Sequence, residues 1–258
     1  MQIDIESIER ATLAAVPPTV VAELPGWLLG LDEGTVGRSH SAVPLRHGAP
    51  GVEVIDTVEK RYAAQGLGAV WRLPMLAEFD ALRKALTARG YIAHQPTCTQ
   101  TGTATDMLAL PANQGTQVQM NVQINQQPTD AWSAVFLGEG FDAVDGAHRI
   151  RLLGRALDAV YASAQIDERT VAVGTASFSH GWASVHGMRT AQTHRGRGLA
   201  SSILQALARE AQRRQIERVF LQVEAANDKA QALYRRAGFA TAWVYEYWRN
   251  ATIHTGKP

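Results

Sequence analysis

Apolar residues recur at helical spacing over residues 3–15, and Pro17 and Pro18 end that run because neither can continue a helix. Two short alternating segments, 27–31 and 35–44, flank Asp32, Glu33 and Gly34, a pattern that predicts a hairpin turning on the glycine. Ile55, Val58 and Tyr62 mark one face of a helix over 52–65, with Gly66 as its stop. A strand near 69–73, a helix over 76–89 ending at Gly90, and an alternating stretch to about Thr101 complete this part of the chain.

Residues 110–115 gather turn formers, and the pattern then restarts. Val118, Met120, Val122 and Ile124 alternate with Gln119, Asn121 and Gln123, the period of a half-buried strand. Helical pattern fills about 129–157, and strands are predicted over 160–166, 170–179 and 183–190, turning at Asp167-Glu168 and His180-Gly181. Leu199, Ile203, Leu207 and Ala211 share one helix face; then come a strand at 219–224, a helix at 227–237 closed by Gly238, and a last strand at 240–248. Such a mixture predicts a layered α/β or α+β fold. Segment 70–91, ending Ala88-Arg89-Gly90-Tyr91, has the layout of 219–239, ending Arg236-Ala237-Gly238-Phe239. Either the chain holds two copies of one fold, residues 1–112 and 113–258, or two strand–helix units are alike by chance.

Composition narrows the partners. The chain is 46% hydrophobic and 19% charged, which suits a folded globular protein rather than a disordered one. Its 25 basic and 24 acidic residues leave a net charge of +1, so no basic field is built for nucleic acid or an anionic membrane. One cysteine, Cys98, excludes an internal disulfide and a cysteine-based metal cluster, and no metal is expected. The apolar stretch 11–31 is broken by Pro17, Pro18, Glu23 and Pro25, which rules out a membrane span, and the N-terminus lacks the order of a signal peptide. A cytoplasmic protein is expected; nothing in the pattern bears on oligomeric state.

The chemistry enters at Arg195-Gly196-Arg197-Gly198-Leu199-Ala200, between a strand and a helix. Gly196 and Gly198 can take backbone angles closed to other residues and let the chain approach a ligand closely. The helix that follows presents unpaired N–H groups and the positive end of its dipole, and Arg195 and Arg197 add charge at the rim. Together these make a seat for a pyrophosphate. A dinucleotide-binding G-x-G-x-x-G fails because Ser201 stands at the third glycine, and no G-K-[ST] is present for a Walker loop.

Downstream stands Asn227-x-x-Ala230-x-x-Leu233-Tyr234-x-x-x-Gly238-Phe239. With the [RQ]-x-x-G-x-[GA] match at Arg195, Gly198 and Ala200, this resembles the GNAT acyltransferase superfamily over about residues 118–250. The resemblance implies a mixed, mostly antiparallel central sheet flanked by helices, here in two tandem copies with a degenerate first one. It further implies acetyl-CoA as co-substrate, a primary amine (small molecule or peptide) as acceptor, and direct attack of the amine on the thioester. In such enzymes two neighbouring strands splay apart around the pantetheine arm. That would assign backbone groups of Met188 and Thr190, and the side chain of Asn227, to pantetheine, the 195–200 loop to the pyrophosphate, and Tyr234 to protonation of the departing thiolate. Arg195 and Arg197 as surface charges, Tyr234 as a core aromatic and Asn227 as a helix cap are the plain alternatives.

A protonated amine must lose its proton before it attacks, since its pKa lies near ~10. Where the ribosomal-protein N-terminal acetyltransferases carry Glu in an L-E-V-R strand, this chain has Gln222 in L-Q-V-E. Glu224, two residues on and on the same strand side, is the first candidate base; His186, then Glu246 with a water chain, follow. The departure leaves open a non-catalytic acyl-CoA-binding or sensing module. Residues 221–227, L-Q-V-E-A-x-N, also resemble the tandem-GNAT mycothiol synthases. The acceptor pocket is expected from residues 132–145 and 245–247, where Glu139, Asp142 and Asp145 would suit a cationic amine or simply be solvated. In the first half, 45–51 lacks the glycine step into a helix and Pro50 removes a donor, so no CoA is expected there. That half is expected to wall the acceptor cleft, and with only about ten residues after Trp248, another segment is expected beside the last strand.

Overall fold

The computed structural model describes residues 4–111 and 120–250. The division near residue 112, and Val118 and Gln119 of the predicted strand, lie outside the described residues. The first part of the chain forms α1 (Ile5–Ala15), β1 (Val20–Leu24), β2 (Trp27–Leu31), β3 (Ala42–Pro44), α2 (Val54–Ala63), β4 (Val70–Pro74), α3 (Asp80–Ala88), β5 (Tyr91–Thr103) and α4 (Ala104–Leu108). The second forms β6 (Met120–Asn125), α5 (Asp130–Leu137), α6 (Ala143–Gly154), β7 (Ala159–Ile166), β8 (Arg169–Ser179) and β9 (Trp182–Thr190). It ends with α7 (Leu199–Arg213), β10 (Arg218–Glu224), α8 (Asp228–Arg236) and β11 (Ala240–Asn250).

Local chemistry accounts for most boundaries. Asp4 caps α1 by accepting from the Ser7 N–H at 3.1 Å, and the prolines beyond it prevent continuation. The β7–β8 and β8–β9 turns place Asp167 and Glu168, and His180 and Gly181, all at positive φ, the backbone that two-residue hairpins require. Near the N-terminus the expected antiparallel pairing of 27–31 with the segment ending at Pro44 is present, Trp27 opposite Pro44 and Leu29 opposite Ala42. A long loop replaces the tight turn expected at Gly34. A tight turn falls at Pro25-Gly26, with Gly26 at φ +78, and joins β1 to β2. Strand β1 was hidden by the prolines on either side, while Asp32 starts a long loop to β3 and its side chain is fully buried.

The eleven strands among the described residues form one sheet, in the order β1-β2-β3-β4-β11-β5-β10-β9-β8-β7-β6. Only β3–β4 and β9–β10 run parallel. The final strand of each half is exchanged: β11 lies between β4 and β5, and β5 lies between β11 and β10. The expected covering of the last strand is thus met from both sides. Gly90 and Gly238, before the two exchanged strands, both have φ +83.

Helices cover both faces. On one, α7 and α4 pack with Tyr234 of α8 over β7 to β10, while α2 and α3 pack over Trp71, Leu73 and Trp248. On the other, α1 lies across the sheet, and α5 and α6 build a smaller core around Trp132 and Tyr161. Because α1 touches β2, β8 and β9, its buried set includes Glu9 and Thr12 as well as Ile8, Ala11 and Leu13. Buried polar groups require partners. Glu9 forms an ion pair with Arg72 of β4, and both side chains are all but inaccessible to solvent.

Candidate functional site

The site begins where β9 and β10 part. Their parallel pairing runs from Ala183 opposite Val219 to Val185 opposite Leu221, and both strands continue beyond it unpaired with one another. On its other side β9 carries a bulge: Arg189 pairs with Val173 and His186 with Thr175, leaving Gly187 and Met188 against Gly174. Gly187 takes φ +64. Gly174 makes room on the opposite strand, because a Cβ there would lie 2.4 Å from the Met188 sulfur and 2.6 Å from Ile203. Ala191 donates to the Val171 carbonyl at 2.8 Å, so strand alternation turns the backbone groups of Thr190 away from β8 and toward the opened side.

The chain leaves β9 through a short 3-10 turn and reaches the glycine loop. Gly196 has φ +78 and Gly198 φ +74, so both use the freedom the sequence offered. No atom within 4 Å would meet a Cβ on Gly196, which leaves the backbone angle as the reason for glycine there. Gly198 stands at the N-cap of α7 without a side-chain cap, so the first N–H groups of the helix, those of Leu199 and Ala200 included, keep free hydrogens. The N–H groups of Gly196 and Arg197 meet no acceptor among the described residues. Leu199 is buried in the core. Arg195 and Arg197 are exposed, and the Arg195 Nε donates to the Thr190 carbonyl at 3.4 Å.

On α8, Asn227 caps its helix by accepting from the Ala230 N–H at 3.1 Å, and its own N–H donates to the Glu224 carbonyl at 2.9 Å. Tyr234 is 7% exposed and packs edge-on against Phe239. Burial pushes its hydroxyl up to about 12, so it holds its proton throughout the physiological range.

The three candidate bases separate. Glu224 is exposed at the end of β10 and accepts a hydrogen bond from Gln95 Nε2 at 2.7 Å. His186 is buried on β9, its Nδ1 3.2 Å from the Ser184 carbonyl; burial and the Arg38 charge push it down to about 3. A ring that holds a proton so weakly is a poor base at neutral pH. Glu246 faces the opposite side of the sheet, in a hollow lined by Asp80, Arg83, Lys84 and Thr87, and is not brought to the site. Gln222 lies beneath α1, with its Nε2 3.5 Å from Thr12 Oγ1. A carboxylate in its place would be buried against that helix, which is a physical reason for the amide.

Of the acidic residues expected around the acceptor, Asp145 is engaged by Arg149 and Thr35, and Asp142 caps α6. Both have structural work; Glu139 is exposed. Trp132 and Phe136 of α5 pack directly on the β9 bulge, since a Cβ on Gly187 would lie within 3.5 Å of both rings. Gly37 lies against Tyr247, so the first-half loop between β2 and β3 covers this side of β11. Gln95 was not identified from sequence; no local signal marks it, because only the strand exchange brings it beside Glu224.

In the first half the corresponding loop differs. Gly48 and Gly51 are not left-handed, and the Glu53 carboxylate folds over Gly51 at the start of α2. Among the described residues no cluster of His, Cys, Asp and Glu could hold a metal, and no helix is long and apolar enough to cross a membrane.

A parallel strand pair that splays beside a left-handed glycine loop and a helix N-terminus defines an acyltransferase of the GNAT type. Residues 3–248 match the family described as "Probable histone acetyltransferase Rv0428c C-terminal", and the chain belongs to that family. It is similar to the "Uncharacterized N-acetyltransferase YobR" of Bacillus subtilis, 24% identical over 246 residues that cover 95% of this chain and 98% of that one. Among solved structures, a GCN5-related N-acetyltransferase from Kribbella flavida has a TM-score of 0.70 at 17% identity, with 96% of this chain and 95% of the other covered. A tandem GNAT protein from the clavulanic acid biosynthesis pathway has a TM-score of 0.62 at 15% identity, with 93% and 86% covered.

Proposed function

We propose that the protein transfers an acetyl group from acetyl-CoA to a primary amine, and that the chemistry belongs to the half from residue 113 onward. The observation that carries this is the pair of left-handed glycines, Gly196 and Gly198, opening α7 beside the parted ends of β9 and β10. Free N–H groups of residues 196–200 and the helix dipole would hold the pyrophosphate, with Arg195 and Arg197 at its edge. Backbone groups of Met188 and Thr190 and the side-chain NH2 of Asn227, whose oxygen already caps α8, would hold the pantetheine arm. Glu224 takes the proton of the attacking amine as the nitrogen bonds to the acetyl carbon. Tyr234 gives its proton to the sulfur as the C–S bond breaks. The first half binds no CoA, since Glu53 puts a negative charge where phosphate would sit.

Gln222, standing where some relatives carry Glu, supports a second reading, a module that binds acyl-CoA without turnover. Calorimetry with acetyl-CoA, followed by an assay with lysine amide, spermidine and a lysine-bearing peptide, separates the two. Binding near one to one that is lost in Gly198→Glu, together with acetylation of an amine, is expected. Binding without acetylation would favour the module, and absence of binding would defeat both readings.

A further inference from the structure

Strand β5 reaches the second half's site from the first half, and it does so with an irregularity at one point. Across from β11 its register runs Tyr245 to Thr97 and then Tyr247 to His94, so Gln95 and Pro96 together oppose Glu246. This is a bulge, a device that re-aims a side chain. Gln95 takes φ +53, a left-handed conformation uncommon for a residue with a side chain and disfavoured before proline. Strain of this kind persists only where the surroundings fix it. Here the Pro96 carbonyl accepts from the Ala225 N–H at 2.8 Å, and Thr97 Oγ1 donates to the Gln95 carbonyl at 2.9 Å. The bulge is thereby fastened to the end of β10, one residue beyond Glu224.

The bulge directs the Gln95 amide, whose Nε2 donates to Glu224 Oε1 at 2.7 Å. A neutral donor suits a carboxylate that must take up a proton. An arginine or lysine there would hold it as an ion pair and oppose protonation, whereas an amide orients one oxygen and leaves the other available.

We infer that Gln95, delivered by the exchanged strand, is a positioning residue that holds Glu224 in the orientation needed to deprotonate the acceptor amine. The first half thus contributes to the chemistry and not only to the walls. This rests on Glu224 being the base under the function proposed above.

Gln95→Asn tests it, because asparagine tolerates left-handed angles and its shorter side chain withdraws the amide without adding backbone strain. The assay uses acetyl-CoA and whichever of lysine amide, spermidine and a lysine-bearing peptide turns over fastest. Gln95→Asn is expected to lower kcat about tenfold, with the KM for acetyl-CoA and the melting temperature unchanged. Glu224→Gln is expected to lower kcat about a hundredfold. The double variant should be no slower than Glu224→Gln alone, since one residue acts through the other. A normal kcat in Gln95→Asn, or losses that multiply in the double variant, would overturn this inference and leave the base assignment standing. A normal kcat in Glu224→Gln, or no acceptor turning over, would remove the base assignment or the function, and this inference with either.

Discussion

Single atoms at the site divide its work between holding and reacting. Under the proposed function Gly196 and Gly198 hold, their left-handed angles turning backbone N–H groups toward the phosphates. Under the same function Tyr234 reacts: its buried hydroxyl, pushed up to about 12, would be the donor to the thiolate as it forms. Tyr234→Phe is expected to keep the fold and the affinity for acetyl-CoA while kcat falls about a hundredfold, read by steady-state kinetics beside calorimetry. Unchanged turnover would make this tyrosine a core aromatic alone. The left-handed glycines and the N-cap Asn227 were legible in the sequence because their chemistry is local, a backbone angle or a helix start, while Tyr234 was singled out only by the family motif. Gln95 was not legible, because its partner lies in the other half of the chain and nothing within β5 points to it.

Elements differ in the same way. Helices α2 and α7 and strands β7 to β11 follow from periodicity alone, since each buries one face against a neighbouring layer. Strand β1 escaped notice because prolines flank it, and the burial around α1 exceeds what an amphipathic stripe predicts. Asp32 shows how such an N-terminal region is secured. It accepts from the Thr19 N–H and hydroxyl, from the Gly34 N–H, each at 3.0 Å, and from His148 of α6 at 2.7 Å, joining the two halves. Burial raises its carboxyl, but those hydrogen bonds and the His148 charge outweigh burial and hold it below the ordinary aspartate value. A depressed folded-state value means the stabilisation is complete above the unfolded-state value of ~3.9 and is lost as pH falls through the lower, folded one. Asp32→Ala should therefore cost about 2–4 kcal/mol at pH 7 and the difference from wild type should shrink below about pH 4 in urea titrations. A difference that stays constant to the acid limit would exclude the carboxylate as its source. The buried pair Glu9–Arg72 predicts a second asymmetry: Glu9→Gln should destabilise by about 3–5 kcal/mol by stranding a buried guanidinium, while replacing both by leucine and methionine should cost far less.

At the scale of the whole molecule the exchanged strands decide how the chain can be divided. The sequence repeat suggested two copies of one fold, and a boundary near residue 112 was the natural reading of it. Periodicity reports which residues pair within a strand's own neighbourhood and is silent on which strand sits beside which, so the exchange had no signature in the chain. Its consequence is physical: without β11, strands β4 and β5 lose the strand between them, and without β5 the same holds for β10 and β11. Each half alone would expose two unpaired strand edges in the middle of its sheet, together with apolar residues such as Trp243, Tyr245 and Trp248, conditions that favour aggregation over folding. We expect fragments 1–112 and 113–258, produced separately, to show neither cooperative unfolding nor acetyl-CoA binding. Refolded together from denaturant, they should form a one-to-one complex that melts in a single transition and binds acetyl-CoA, because the pairing of β5 with β10 and β11 does not require a covalent link. A second fragment that folds and binds acetyl-CoA unaided would mean the exchange is dispensable to the second half. Non-productive mixing would instead assign the connecting chain the task of supplying the effective concentration that lets the two final strands cross.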